Sequence, residues 1–81
     1  MKPNLEKIDD AVLALLFLTS FTEGRHEFAV TRAWKGHDWD ALDWLHGKGF
    51  IADPKNKNKS VVFTREGHKR AEELFSRLFC E

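Results

Sequence analysis

The stretch from Gly36 to Gly67, GHDWDALDWLHGKGFIADPKNKNKSVVFTREG, constrains this chain most, because it carries the signals for a helix, a hairpin and a second helix start in succession. Asp38 has the short acceptor side chain of an N-cap, and a helix from Trp39 to Lys48 puts Ala41, Leu42 and Leu45 on one face. Gly49 stops it, since a glycine suits the left-handed position after a helix, and Lys48 meets the negative end of the helix dipole. Phe50 and Ile51 open a strand that Asp53-Pro54 ends. The run Lys55 to Ser60 is a polar loop, and Val61, Val62 and Phe63 bring the chain back. Thr64 then caps the next helix, with Glu66 in its first turn.

Upstream, Asn4 is an N-cap for a helix from Leu5 to about Ser20, with Glu6 and Asp9 near its positive end. Leu5, Ile8, Val12, Leu15, Leu16 and Thr19 keep helical spacing, yet Ala11, Leu13, Ala14, Phe17 and Leu18 fill the other faces. A helix apolar nearly all round is covered on more than one side, by the rest of the domain or by a second copy of the chain. Phe21 to His26 reads as a loop turned by Gly24. For Glu27 to Lys35 the spacing of Ala29, Val30, Ala33 and Trp34 favours a short helix, and the alternation of Phe28, Val30 and Trp34 leaves a strand as the alternative. The last helix, Arg65 to about Phe79, carries the stripe Ala71, Leu74, Phe75, Leu78 and Phe79, which packs against the first helix.

Trp34-Lys35-Gly36, Asp38 to Leu42 and Gly49 to Gly67 give the pattern WKG-DWDAL…GFI-DPK-K-KSVV-T-EG, which resembles that of a family of small bacterial domains of unknown function. More distantly, the order of parts is similar to the end of a winged helix-turn-helix domain in bacterial transcription regulators. The resemblance implies a small α+β fold, a single winged-helix domain over residues 1–81, with three to four helices and a two-stranded hairpin wing. It also implies double-stranded DNA as a partner and a homodimer held by the first and last helices.

Chemistry beyond binding finds little support. His26, His37, His46 and His68 lack the paired spacing of a metal site, and Cys80 is the single cysteine, so no metal and no cofactor are expected. Asp38, Asp40 and Asp43 at a helix start suit the dipole without any acid-base role, and the chain reads as a non-enzyme. Thirteen basic and thirteen acidic residues cancel, so any contact with a polyanion must be local. The apolar run Ala11 to Leu18 is too short to span a bilayer and the start does not read as a secretory signal, which predicts a cytoplasmic protein without a membrane partner.

Two binding surfaces follow. Lys55, Lys57 and Lys59 alternate with Asn56, Asn58 and Ser60 at the wing tip, and Arg65, Lys69 and Arg70 follow at the next helix start. These six are the candidate nucleic-acid contacts. Against them, the presumed recognition helix exposes Asp40, Asp43 and Trp44, and aspartates repel phosphates. The alternative is a protein-interaction or dimer module using Trp39, Trp44, Leu13, Phe17, Phe75 and Phe79, since aromatic residues are enriched in interface cores.

Overall fold

Asn4, Asp38 and Thr64 each turn a side-chain oxygen onto a backbone N–H three residues ahead, and each starts a helix. The bonds run from Lys7 at 3.0 Å, from Ala41 at 3.2 Å and from Gly67 at 2.9 Å. The computed structural model describes residues 1–24 and 29–81. In chain order it contains α1 (Leu5–Leu18), β1 (Phe21–Glu23), β2 (Val30–Trp34), α2 (Trp39–Gly47), β3 (Ser60–Val62) and α3 (Arg65–Phe79). The three strands form one antiparallel sheet in the order β1-β2-β3. Over the described residues the architecture is a small α+β fold with three helices and a three-stranded antiparallel sheet.

Several expectations change here. The segment from Glu27 to Lys35 does not hold a helix, because Val30–Trp34 is the central strand of the sheet; Glu27 and Phe28 lie outside the described residues. The helical face offered by Ala29, Val30, Ala33 and Trp34 loses to cross-strand pairing. Thr31 sits opposite Thr22, Ala33 opposite Val61, and β-branched Val30 and Thr31 suit a pleated surface. Phe21–Glu23, expected in a loop, is the edge strand β1, and Gly24 after it has φ +92°, as a turn requires. Arg25 and His26 of that expected loop lie outside the described residues. Among the described residues α2 therefore follows a strand, and no helix-turn-helix unit is present. The sheet has three strands in place of a two-stranded wing, since the hairpin between Phe50-Ile51 and Val61-Phe63 shrinks to one bridge, Ile51 to Phe63.

The core fills the space between one face of the sheet and the helices. Leu13 and Leu16 of α1, Leu42 and Leu45 of α2, Leu74 of α3, Ala33, Ile51 and Val61 are all buried, and α1 packs against α2, α3 and β2. Asp9 is buried on the same helix, and its carboxylate receives the Lys48 ammonium at 3.2 Å. A buried carboxylate is tolerated only with such a partner. Lys48 thus serves the α2 dipole and ties the end of α2 to α1. None of the described helices is long and apolar enough to cross a membrane.

The chain leaves α2 through Gly49, whose φ of +79° places it in the left-handed region. It then runs directly under the first turn of α3. The Phe50 carbonyl accepts the Thr64 N–H at 3.0 Å, and the Thr64 hydroxyl donates to the Gly49 carbonyl at 2.6 Å. A Cβ on Gly67 would collide with the Phe50 carbonyl, and backbone has no room to yield. Helix propensity alone predicts that Gly67→Ala stabilises α3 by about 1 kcal/mol. The backbone contact reverses the sign, so urea unfolding of Gly67→Ala is expected to show a loss of ~1–3 kcal/mol or more. A gain in stability would mean that α3 does not sit on Phe50.

Candidate nucleic-acid interface

The polar loop before β3 has a fixed backbone. Asp53 accepts the Lys55 N–H on its side chain at 2.9 Å, and Pro54 is buried. Asn56 is the hub: its N–H donates to the Pro54 carbonyl at 3.0 Å and its side-chain amide to the Asp53 carbonyl at 2.9 Å. Its side-chain oxygen accepts the Asn58 N–H at 2.8 Å. Such bonds let a short polar side chain replace the missing backbone partner in a turn. The asparagine positions hold the loop, and Lys55, Lys57 and Lys59 between them are exposed.

Lys35, just past the end of β2, anchors this loop to the rest of the molecule. Its N–H donates to the Lys59 carbonyl at 3.0 Å, and its ammonium donates to both Asn56 oxygens, at 3.1 Å to the side chain and 3.3 Å to the carbonyl. The same ammonium lies 5.9 Å from the centre of the Trp39 ring, within cation-π range. Beside it, Trp34 is opposite Ser60 in the sheet and packs on Phe21 of β1 with ring centres 5.1 Å apart. Trp34 and Trp39 remain 55% and 53% exposed. A lysine-rich loop and two accessible indoles are therefore joined at one end of the sheet. Lys35, Asn56 and the Trp34–Phe21 pair were missed as site residues in the sequence. The alternation of lysine with asparagine was the available signal for Asn56, and a strand reading of residues 30–34 would have placed Trp34.

The other basic candidates lie elsewhere. Arg65 starts α3 at the far end of β3 from the loop, where Val30, Thr31, Phe63 and His68 surround it in a shallow pocket. Lys69 shares the outer face of α3 with Glu72 and Glu73, and Arg70 lies 3.8 Å from Glu73. These three do not extend the Lys55–Lys59 surface. On α2, Asp40, Asp43 and Trp44 line an open groove with Gly47 and Lys48, and Trp44 is exposed.

The apolar candidates divide by face. Leu13 is fully buried inside the chain, so it has no free surface for a second copy; helical spacing could not say which of several apolar faces α3 would cover. Phe17 and Phe75 are half-buried against each other, with ring centres 5.4 Å apart, and they join α1 to α3. Phe79 is exposed, as is Leu78. The outer face of α1 carries exposed Ile8, Leu15 and Leu18 with half-buried Ala11 between them, at alternating spacings of three and four residues, and Ala11 shares a groove with Leu74, Leu78 and Phe79, rimmed by Lys7, Asp10 and Arg77.

His46 and His68 make contacts within the fold, and His26 lies outside the described residues. His46 Nδ1 lies 3.1 Å from the Ile51 carbonyl, and His68 packs between the rings of Phe17 and Phe63. His37, in the link from β2 to α2, has its pKa lowered by burial, which disfavours the imidazolium.

Residues 4–81 match the family model described as a domain of unknown function, DUF6429. The chain belongs to the DUF6429 family. This DUF6429 domain is also 54% identical over 79 residues to the uncharacterized protein y4hR of Sinorhizobium fredii (strain NBRC 101917 / NGR234), covering 98% of this chain and 97% of that protein. No solved structure matches it. The family's description names no activity, so the chemistry of the DUF6429 site is argued from the residues above.

If Asn56 holds the loop, Asn56→Ala in this DUF6429 domain exposes its partners to water and accelerates hydrogen exchange at the Asn58 amide. The expected loss of stability is about 1 kcal/mol, because these bonds are solvent-accessible. An unchanged exchange rate at Asn58 would mean the loop is simply solvated.

Proposed function

We propose that this chain is a non-enzymatic, cytoplasmic nucleic-acid-binding module that meets phosphates with Lys55, Lys57 and Lys59. The observation that carries the reading is the Asn56-centred bonding of the loop, which fixes the backbone under three exposed lysines. A preformed backbone lowers the ordering cost that a binding loop otherwise incurs. Two neighbouring carboxylates, Asp38 and Asp53, are turned onto the backbone N–H groups of Ala41 and Lys55. The acidic face of α2 is no longer an objection, since without a helix-turn-helix unit that helix has no reason to enter a groove. Arg65, Lys69 and Arg70 fall outside the proposed contact.

Replacing Lys55, Lys57 and Lys59 together by glutamine is expected to weaken oligonucleotide binding at every sequence alike. The slope of log affinity against log salt should fall by up to ~3, because each phosphate contact releases roughly one counterion. Fluorescence anisotropy at several salt concentrations measures both. A parent protein that binds no oligonucleotide at low salt would end this reading.

The outward stripe Ile8, Ala11, Leu15 and Leu18 favours a second, compatible role, self-association into a homodimer. Its spacing is that of a helix-packing seam, and it continues into Leu78 and Phe79. An exposed contiguous apolar strip is uncommon on a monomer. Two copies joined there carry two lysine loops, which raises avidity for a polymer with repeating charge. Light scattering of the parent at tens of micromolar is expected to give the mass of a dimer, and Leu15→Glu a monomer with near-parental melting. A monomeric parent would exclude the seam.

A further inference from the structure

The sheet has two faces, and they differ in what covers them. Thr31, Ala33, Val61 and Phe63 point one way, and of these Ala33, Val61 and Phe63 are buried in the core. The pleat turns Phe21, Glu23, Val30, Arg32, Trp34, Ser60 and Val62 the other way. On that side Glu23 and Trp34 are exposed, Phe21, Val30, Arg32 and Val62 are half-buried, and Ser60 is buried. Its charges are already matched: Arg32 lies 3.4 Å from Glu23 and donates to the Ser60 hydroxyl at 3.2 Å. Arg32 is mostly covered, so what this face offers is the exposed Trp34 indole seated on Phe21. At the same edge Lys59 precedes Ser60, Trp34's cross-strand partner, so the lysine loop rises directly beside the aromatic pair.

The geometry points to the open sheet face as a base-stacking platform for single-stranded nucleic acid, with Trp34 taking a base and Lys55, Lys57 and Lys59 the flanking phosphates. This rests on the phosphate-binding reading above and narrows its substrate class. A duplex keeps its base faces stacked inside and can offer this surface only its charged exterior, whereas an unpaired base presents a ring to an indole or a guanidinium plane. Lysines on the loop and an exposed aromatic pair directly beside them match an unpaired strand, which has charge along its backbone and rings to one side. Recognition of this kind is tolerant of sequence, because every base has a stacking face.

The test compares an oligothymidylate of about twelve nucleotides, within the usual site range, with a duplex of the same length and with inorganic polyphosphate, all at low salt. The parent is expected to bind the oligothymidylate most tightly. Trp34→Ala should lose about tenfold or more in affinity for it, with an unchanged salt slope, while Trp34→Phe retains most of the binding. A Trp39→Phe/Trp44→Phe variant, in which Trp34 is the remaining indole, should show fluorescence quenching by the oligothymidylate and none by polyphosphate. Equal affinity for all three polyanions, full affinity in Trp34→Ala, or unquenched Trp34 at saturation would overturn the platform and leave the lysine loop as a charge-only contact. Binding of none of the three by the parent overturns the platform together with the phosphate reading beneath it.

Discussion

The buried side of α1 is the surface on which this molecule is assembled. Leu13 and Leu16 have no solvent exposure, and α2, α3 and the central strand all pack on that helix. In a chain of 81 residues one core must serve every element, because a domain of this size buries only about 60% of its unfolded surface. Truncating any of these leucines would open a cavity touching several elements at once. The Asp9–Lys48 pair adds direction to this apolar contact: it fixes which end of α2 meets which turn of α1, at the cost of burying a carboxylate.

From that anchor the proposed binding surface follows by connection. Gly49 turns the chain out of α2, Phe50 runs beneath Gly67, and the loop from Asp53 to Ser60 is delivered to the end of β2 where Lys35 holds it. Charge is separated as a result. The lysines stand at one end of the sheet, while Asp40 and Asp43 stand on the outer face of α2 with Trp44. A net charge of zero conceals this separation entirely. What matters for a charged partner is the field within about a Debye length, roughly 8 Å at physiological salt, rather than the sum over the chain.

Belonging to DUF6429 places the chain with relatives and leaves its activity to be argued from its surfaces. The two surfaces described here are separate in kind. One is an apolar seam along α1 and the end of α3, suited to a second helix. The other is a loop of lysines beside the exposed Trp34 indole. They lie on different elements, so the proposed self-association and the proposed polyanion binding would not compete for the same side chains.

The sequence by itself determined the local punctuation. Asn4, Asp38 and Thr64 as caps and Gly24 and Gly49 as turn glycines were all legible, because each depends on a few neighbouring residues. The exposed lysines and the leucine face of α2 were legible for the same reason. Only the tertiary structure decided that Val30–Trp34 is a strand. Its spacing fits helix and sheet alike, and the choice was made by Thr22, Val61 and their neighbours, which are distant in sequence. It also decided which apolar side of α1 is core, so that Leu13 turned inward while Leu15 and Leu18 stayed outside. It likewise made Trp34 part of an open aromatic face with Phe21. Local bonding preferences are written residue by residue, whereas pairing and burial depend on which distant surfaces meet.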